Sequence, residues 1–215
     1  MGSKRLPGKV LRQIGHLPLL GHVLGRLSQS THDIAVVVAT SVLPQDDAIA
    51  AYCATVGARC FRGSELDVLD RYYQCAQLSG FHDIVRLTAD NPFTDIEELD
   101  RLIDLHLRES NALTHSFGKL PIGLGAEIFS AQALESSWQE GLEPHHREHV
   151  DEYLLEHPGR FKTGTLDIPL SKIRPELRLT VDTEDDWRLA DRLARQTSQS
   201  WITTERIIAL CSPSA

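Results

Sequence analysis

Two carboxylates stand at the ends of predicted strands that are far apart in the sequence. Asp90 lies in Thr88-Ala89-Asp90-Asn91-Pro92, and Asp182 lies in Leu179-Thr180-Val181-Asp182-Thr183. In open α/β sheets ligands bind at the carboxyl ends of the strands, and one or two carboxylates with substrate phosphates are the ligands that Mg²⁺ prefers. The alternative is that each carboxylate caps the helix that follows it.

A second candidate is the basic loop formed by residues 2–9, Gly2-Ser3-Lys4-Arg5-Leu6-Pro7-Gly8-Lys9. Its glycines free backbone N–H groups, its cations neutralise charge, and a predicted helix follows, so the loop could cradle a phosphate. A flexible basic terminus is the alternative. Such loops normally follow a strand, whereas only Met1 precedes this one. We therefore expect either a longer natural protein or a loop without that support.

The third cluster is His145-His146-Arg147-Glu148-His149. It matches HxxEH, the inverted zinc-peptidase pattern, in which both outer histidines lie on one face of a helix. No second helical motif supplies a third ligand, so we favour a helix that presents histidine, arginine and glutamate to a polar substrate. The turn Arg62-Gly63-Ser64 has two compatible roles, because Ser64 can cap a helix with Asp67 and can also contact a ligand.

Composition excludes several classes of function. The chain has 215 residues and a net charge of −8, so no basic surplus favours general binding to nucleic acid or to an anionic membrane. No apolar run approaches the ~20 residues of a transmembrane helix. The four cysteines form no CxxC pair or disulfide ladder, which indicates a reducing cytoplasm.

The hydrophobic periodicity predicts alternating helices and strands, the order of an α/β protein in a single domain. Predicted strands are 34–40, 59–61, 83–87, 126–129, 161–166 and 178–181. Predicted helices are 17–27, 45–56, 65–78, 94–108, 131–139, 144–156, 185–195 and 203–210. The β-branched run at 34–40 suggests a parallel sheet buried on both faces, and the less regular second half suggests a mixed sheet.

Taken in order, these segments resemble the cytidylyltransferases of the spore-coat polysaccharide and acylneuraminate family, within the nucleotide-diphospho-sugar transferases. The resemblance rests on residues 1–11, 61–72, 86–92, 147–150 and 179–185. It implies a Rossmann-like three-layer α/β/α nucleotidyltransferase fold with a mostly parallel mixed sheet. It also implies a nucleotide-binding part at about 1–110, an acceptor part at about 111–215 and a homodimer.

By the same resemblance, the protein transfers CMP from CTP to an acidic sugar of the nonulosonic type, releasing pyrophosphate with Mg²⁺. Arg5, Lys9, Asp90 and Asp182 would be catalytic, and the two aspartates would hold the metal. The nucleotide would contact Gly2, Ser3, Arg5, Gly8, Lys9, Arg62 and Ser64. The acceptor would contact Gly123, Glu127, His145, Arg147 and Glu148, with His145 or Glu148 as the possible general base.

Two alternatives remain open under this resemblance. The acceptor could be a phosphonate or another small acid, because the acceptor-facing residues do not identify it. The chain could also be an inactive nucleotide-binding or assembly protein, because family members carry an apolar strand before the basic loop. With that N-terminal strand truncated, we expect the strands containing Ile34 and Ile84 to be either separated or newly paired.

Overall fold

The computed structural model describes residues 1–3, 5–196 and 201–212, in which helices and strands alternate. Strands are β1 (Gln13–Ile14), β2 (Leu17–Pro18), β3 (Val37–Ser41), β4 (Arg59–Gly63), β5 (Asp83–Arg86), β6 (Leu113–His115), β7 (Glu127–Ser130) and β8 (Thr163–Thr165). Helices are α1 (Leu19–Leu27), α2 (Asp47–Val56), α3 (Val68–Ser79), α4 (Ile96–Glu109), α5 (Ala131–Glu140), α6 (Pro144–Glu148), α7 (Glu152–Glu156), α8 (Glu184–Ala194) and α9 (Thr204–Cys211). Short 3-10 turns occupy Lys9–Leu11, Pro44–Asp46 and Leu170–Lys172.

The described strands form three separate sheets. The hairpin β1-β2 is antiparallel, and β3 pairs with β4 in parallel. A mixed sheet has the order β5-β7-β6-β8, with β7 antiparallel to both of its neighbours and β6 parallel to β8. The predicted α/β class with a mixed sheet is therefore confirmed.

The strands predicted around Ile34 and Ile84 correspond to β3 and β5, and these two strands are not paired with each other. This outcome matches the separated arrangement rather than the newly paired one. The strand predicted at 34–40 begins only at Val37, where its ladder with β4 starts. Residues 34–36 have strand composition but no strand partner within the described chain, so composition alone set that boundary too early.

Besides shifts of a few residues at element ends and the strands β1, β2 and β6, which were not predicted, three predicted elements differ from the structure. The stretch at 178–181 is not a strand and makes one isolated bridge, Arg178 to Ile122. The helix at 144–156 is two helices, because His149 has an extended backbone that ends α6. The helix predicted from Leu17 begins at Leu19, because Leu17 and Pro18 pair with β1.

Two hydrophobic clusters hold these layers together. The larger joins α1, α4, α8 and α9 to the mixed sheet through fully buried side chains such as Leu19, Leu102 and Ile207. The smaller packs α3, α5 and α7 on the sheet around Phe129. Because the larger cluster draws on residues from both ends of the chain, segments distant in sequence meet at one edge of the fold. Over the residues that the structure covers, no helix has the length and apolar character needed to span a membrane.

Candidate active site

Asp90 and Asp182 converge on one buried ammonium group. The Lys9 side-chain nitrogen donates to Asp90 Oδ2 at 2.9 Å and to Asp182 Oδ1 at 2.8 Å. Its third hydrogen bond goes to the carbonyl of Val181 at 2.8 Å. Lys9 itself is only 8% exposed. Two carboxylates 92 positions apart in sequence are therefore held around a single cation.

Neither aspartate caps a helix, so the capping alternative is wrong for both. The first turn of α4 is capped by Asp95, whose carboxylate accepts from the Glu98 amide. The first turn of α8 is capped by Thr183 in a reciprocal arrangement with Asp186. The Asp90 and Asp182 carboxylates are thus free to serve the cation between them.

Short hydrogen bonds fix the segments that carry the two carboxylates. Thr88 Oγ1 donates to Asp90 Oδ1 at 2.6 Å, and the Val181 amide donates to the Asp90 carbonyl at 2.9 Å. On the other side, the Asp182 amide donates to Asp186 Oδ2 at 3.0 Å. The end of β5 and the segment before α8 therefore form one rigid edge.

The local charge is positive around Asp182. Arg5 lies 3.1 Å from its Oδ2, and Arg178 also contacts that oxygen. Burial alone would raise the pKa of the Asp182 carboxyl, but the hydrogen bond and charge of Lys9, together with the two arginines, lower it. Asp182 is thus an anion at neutral pH. The Arg5 side chain is 64% exposed, so it can reach an incoming phosphate.

The residues at this edge fit a hard divalent cation. Both carboxylates offer oxygens to one point, and their side chains remain 24% and 15% exposed, which leaves room for phosphate and water oxygens. Oxygen ligands from one or two carboxylates with substrate phosphates suit Mg²⁺. The Lys9 ammonium group now lies between the two carboxylates. It would have to move away if a metal ion bound at the same position.

The basic loop folds back toward this edge around a buried anchor. Leu6 is 7% exposed and belongs to the larger core cluster, so the loop cannot swing away freely. Gly8 has φ +71°, a conformation that favours glycine, and it precedes the turn that buries Lys9. Ser3 Oγ accepts from the Leu6 amide at 3.3 Å. Lys4 lies outside the described residues.

A cavity of about 330 Å³ opens beside the loop and the carboxyl end of β3, with Gly2, Thr40, Asp46 and Arg71 among its walls. This volume is within the range of small-molecule sites. Asp46 is 6% exposed and accepts from Thr40 Oγ1 at 2.8 Å, from Ser41 Oγ at 2.7 Å and from the Met1 amino group at 2.5 Å. These donors outweigh burial, so the pKa of the Asp46 carboxyl is lowered.

Arg62 and Ser64 lie near this cavity but make structural contacts. Arg62 donates to the carbonyls of Ser41 and Leu43, both at 2.9 Å, and thereby fixes the loop after β3. Ser64 Oγ accepts from the Asp67 amide at 3.0 Å, while the N-cap of α3 is Asp67 itself. Their predicted contact with the nucleoside stays a prediction.

Gly123 packs closely against the segments that carry the two carboxylates. Its φ is +98°, and a Cβ atom there would lie 2.8 Å from the Thr180 amide nitrogen and 2.9 Å from Asn91 Oδ1. Only glycine allows the loop before β7 to approach the Asp90 and Asp182 segments this closely. Asn91 Oδ1 is buried without a hydrogen-bond partner among the described atoms.

Glu127 is buried below the surface rather than exposed to an acceptor. It lies on β7, opposite Arg86 in the ladder with β5, and the two side chains form an ion pair. Burial raises the pKa of the Glu127 carboxyl to about 7, although Arg86 opposes the shift, and nearby Asp151 raises it further. One of its oxygens, Oε2, has no partner in the described structure.

The predicted histidine cluster is split among different contacts. His145 Nε2 and His146 Nε2 donate to the two carboxylate oxygens of Glu156, at 2.7 and 2.8 Å, and Glu148 is exposed. Arg147 binds Asp67 with two nitrogens, at 2.9 and 2.6 Å, which ties α6 to α3. Because α6 ends at Glu148, His145 and His149 do not lie on one continuous helix, and the HxxEH zinc interpretation is wrong.

The side chains of His145, His146 and Glu156 lie close enough to hold a metal ion, but the tautomer of His146 does not suit metal binding. His146 Nδ1 accepts from the Glu143 amide at 3.3 Å, so Nε2 carries the proton and donates to Glu156. A metal at Nε2 would require the proton on Nδ1, facing another N–H donor. The cluster therefore joins α6 to α7.

Three residues of the site were missed at the sequence level. Asn91 follows Asp90 directly, and its position beside a strand-end aspartate is a usable signal. Arg178 precedes Asp182 by four positions, a spacing that predicts contact only in a helix, whereas this segment is extended. Asp46 resembles an ordinary helix start, and nothing in its local sequence indicates that donors from Met1, Thr40 and Ser41 converge on it.

On this α/β scaffold a basic loop, a buried lysine and two convergent carboxylates meet at one site, the arrangement expected of an enzyme that binds phosphate and a divalent metal. The profile of the cytidylyltransferase family matches residues 1–204. The spore coat polysaccharide biosynthesis protein SpsF of Bacillus subtilis is 38% identical over 192 residues, covering 87% of this chain and 80% of SpsF. An uncharacterised protein of Methanocaldococcus jannaschii is 40% identical over 188 residues, covering 87% of this chain and 77% of that protein. The chain belongs to the cytidylyltransferase family.

Solved structures agree with this assignment. A cytidylyltransferase from Leptospira borgpetersenii superposes with a TM-score of 0.91 at 30% identity, covering 98% of this chain and 89% of that one. The CMP:2-keto-3-deoxy-manno-octonic acid synthetase in complex with CTP superposes with a TM-score of 0.67 at 17% identity, covering 91% and 95%. The second likeness supports the nucleotidyltransferase fold alone.

Proposed function

We propose that this protein transfers CMP from CTP to an acidic sugar of the nonulosonic type and releases pyrophosphate, in surface polysaccharide biosynthesis. The observation that carries the proposal is the convergence of Asp90 and Asp182 on Lys9 beneath the basic loop. The names of two similar proteins add support, one a spore coat polysaccharide protein and the other a synthetase of a CMP-linked sugar acid.

The chain's own residues supply positioning and charge. The acceptor oxygen attacks the α-phosphorus in line, the bond to the β-phosphate bridging oxygen breaks, and pyrophosphate leaves with that electron pair. Arg5 and Lys9 stabilise the negative charge that builds up on the departing phosphates. Gly2, Ser3 and Gly8 would shape the loop around the triphosphate. Arg62 fixes the loop after β3 and would contact the nucleoside together with Ser64.

Asp90 and Asp182 would hold Mg²⁺. When bound, the ion neutralises phosphate charge and orients the triphosphate for in-line attack. Hydrogen bonds from Thr88 Oγ1 and from the Val181 amide hold Asp90 in place, and the hydrogen bond from the Asp182 amide to Asp186 holds Asp182. This preorganisation means that little reorganisation is needed when CTP arrives.

The acceptor would lie on the side of Gly123. Glu127 would act there indirectly, through its ion pair with Arg86, which joins β7 to β5. His145, Arg147 and Glu148 would face the acceptor from α6, with His145 or Glu148 as the general base. A phosphonate or another small acid would use the same cationic surroundings, so the acceptor screen must include both classes.

The remaining parts of the proposal concern organisation. We infer a single domain in which residues 1–110 bind the nucleotide and residues 111–215 bind acceptor and metal, supported by a core cluster that draws on both parts. A homodimer in the cytoplasm is the setting that we infer for the enzyme. Size-exclusion chromatography with light scattering measures whether the protein is a dimer.

The test is pyrophosphate release from CTP and Mg²⁺ with a panel of sugar acids, phosphonates and neutral sugars. We expect turnover with a sugar acid and its loss in Asp182→Asn. Asp167→Asn is the matched control, because Asp167 is exposed and pairs with Lys119 away from the site. Turnover with phosphonates alone would mean that the acceptor is a phosphonate rather than a sugar acid. CTP binding measured by calorimetry, without turnover, would favour an inactive nucleotide-binding protein.

A further inference from the structure

Asp90 is the end point of a relay of side-chain hydrogen bonds that begins at Asn91 and passes through Thr88. Asn91 Nδ2 donates to Thr88 Oγ1 at 2.9 Å, and Thr88 Oγ1 donates to Asp90 Oδ1 at 2.6 Å. The relay ends on the Asp90 oxygen that faces away from Lys9, because the Lys9 ammonium group binds the other oxygen, Oδ2.

The direction of the relay is fixed by the groups at its two ends. A carboxylate that is paired with an ammonium group can only accept, so the single proton of the Thr88 hydroxyl points to Asp90. The atom of Asn91 that faces this hydroxyl must then donate, which identifies it as the amide nitrogen. The other end of that amide, Asn91 Oδ1, is buried and has no hydrogen-bond partner among the described atoms.

The loop that carries the relay is held by further contacts around Asn91. The Asn91 backbone amide donates to the Thr88 carbonyl at 3.1 Å, and Thr94 Oγ1 donates to the Asn91 carbonyl at 3.2 Å. Gly123 leaves room for the Asn91 side chain, because a Cβ atom at Gly123 would lie 2.9 Å from Asn91 Oδ1. These contacts keep the side-chain amide beside the Thr88 hydroxyl.

Each carboxylate of the pair therefore has one oxygen engaged by a donor other than Lys9. Asp90 Oδ1 accepts from Thr88. Asp182 Oδ2 lies 3.1 Å from the Arg5 guanidinium group. The two remaining oxygens, Asp90 Oδ2 and Asp182 Oδ1, are the ones that Lys9 binds. A cation in place of the ammonium group would meet one oxygen from each carboxylate.

Mg²⁺ and Ca²⁺ differ in how they use carboxylates. Mg²⁺ requires near-octahedral geometry and is usually bound by one or two carboxylates, with phosphate and water oxygens completing its shell. Ca²⁺ takes six to eight oxygens and accepts both oxygens of one carboxylate. Single oxygens from two carboxylates therefore suit Mg²⁺ and give Ca²⁺ fewer protein ligands than it can use.

We propose that Asn91 and Thr88 are positioning residues that set the metal preference of the site. Asn91 fixes the direction of the Thr88 hydroxyl, and the hydroxyl engages Asp90 Oδ1, so that only Oδ2 serves the ion. The site thereby favours Mg²⁺ over Ca²⁺. This proposal rests on the metal site proposed for Asp90 and Asp182, and it concerns the choice of ion rather than the acceptor.

The test compares the binding of Mg²⁺ and of Ca²⁺ to the full chain without CTP, from the rise in melting temperature along a titration with each ion. Thr88→Val keeps the shape of the side chain and removes the hydroxyl. We expect its Mg²⁺ affinity to fall about 10-fold to 100-fold, as is usual when a group that holds a metal ligand is removed. Its Ca²⁺ affinity should change less than about threefold, because Ca²⁺ can use both oxygens of Asp90. Thr88→Ser keeps the hydroxyl and should retain the wild-type preference.

Asn91→Asp reverses the relay at its origin. The new carboxylate accepts from Thr88 and competes with Asp90 for the hydroxyl proton. Its added charge attracts both ions, so the informative quantity is the ratio of the two affinities, which should move toward Ca²⁺ by about tenfold. Thr94→Val is the matched control, because it removes a buried hydroxyl that bonds the same loop at the Asn91 carbonyl. Its ratio should equal that of the wild type.

Three results would overturn the proposal: an unchanged ratio in Thr88→Val, an equal change in Thr94→Val, or no stabilisation of the wild type by Mg²⁺. The measurement requires no turnover. Loss of the Mg²⁺ preference in Thr88→Val, together with a wild type that transfers no CMP, would contradict the proposed activity and leave the role of the relay standing. Turnover by the wild type with an unchanged ratio in Thr88→Val would do the reverse.

Discussion

Replacing Lys9 by methionine tests the clamp at the centre of the site. Lys9→Met keeps the length and apolar contacts of the stem and removes the charge that Asp90 and Asp182 share at 2.9 and 2.8 Å. Removing one partner of a buried ion pair costs about 3–5 kcal/mol. We expect a loss near 3 kcal/mol, because Arg5 and Arg178 still compensate Asp182.

Activity should fall more than folding alone explains. Loss of one preorganised charge contact to the transition state costs about 100-fold to 1000-fold in kcat. Mg²⁺ should raise the melting temperature of the variant more than that of the wild type, because the divalent ion then meets two carboxylates without a competing ammonium group. Differential scanning fluorimetry with and without Mg²⁺ measures this difference, and a CTP-dependent pyrophosphate assay measures kcat.

Lys172→Met is the matched control for buried-lysine loss. Lys172 is 3% exposed and lies 2.7 to 3.1 Å from three carboxylates, far in sequence from the basic loop. Its removal should cost a similar amount of stability while leaving kcat unchanged at temperatures where the variant is folded. Wild-type kcat in Lys9→Met, or an equal loss of kcat in the Lys172 variant, would refute this account of the clamp.

Two further substitutions test the close packing at Gly123 and the buried carboxyl of Glu127. Gly123→Ala should lower the free energy of unfolding by about 2 kcal/mol and lower kcat, because the new Cβ meets the Thr180 backbone at 2.8 Å. Gly118→Ala is the control, since Gly118 also has a positive φ, +90°, but has open space around it. This control should lose less stability and keep its kcat. Equal urea midpoints for the two would contradict the close approach. Glu127→Gln should remove a pH dependence of stability. The pKa of the Glu127 carboxyl in the folded protein is about 7, above the ordinary 4.5. The protonated carboxyl therefore stabilises the fold fully below pH 4.5, and this stabilisation is lost as pH rises through 7. Urea unfolding at pH 5 and pH 8 should show a decline of up to about 3 kcal/mol in the wild type that the variant lacks, and the same decline in both would contradict the assignment.

The sequence predicted the alternation of helices and strands because hydrophobic period and strand-end residues are local signals, but it did not predict β1, β2 or β6. The convergence of Asp90 and Asp182 was also predictable, since both follow strand-like runs. The break at His149 was not, because α6 and α7 are separated by an extended residue inside an otherwise helical pattern. Pairing direction was beyond local reasoning too, because β7 is antiparallel to both neighbours through contacts distant in sequence.

The tertiary contacts of two predicted site residues could not be inferred from the motifs. Glu127 was predicted to contact the acceptor, and its side chain is 1% exposed and paired with Arg86. Arg62 was predicted to contact the nucleoside, and it donates to two backbone carbonyls. Both substrate contacts stay predictions, because residue type alone does not encode which neighbours surround a side chain.

The most direct measurement follows the α-phosphate of CTP. With [α-³²P]CTP, Mg²⁺ and a 2-keto sugar acid, the account predicts that label moves to the acid as a CMP conjugate while unlabelled pyrophosphate is released in equal amount. The Asp182→Asn variant should give neither product. Release of labelled CMP without a conjugate, or label transfer that persists in the variant, would contradict the central claim that Lys9, Asp90 and Asp182 form the site of cytidylyl transfer.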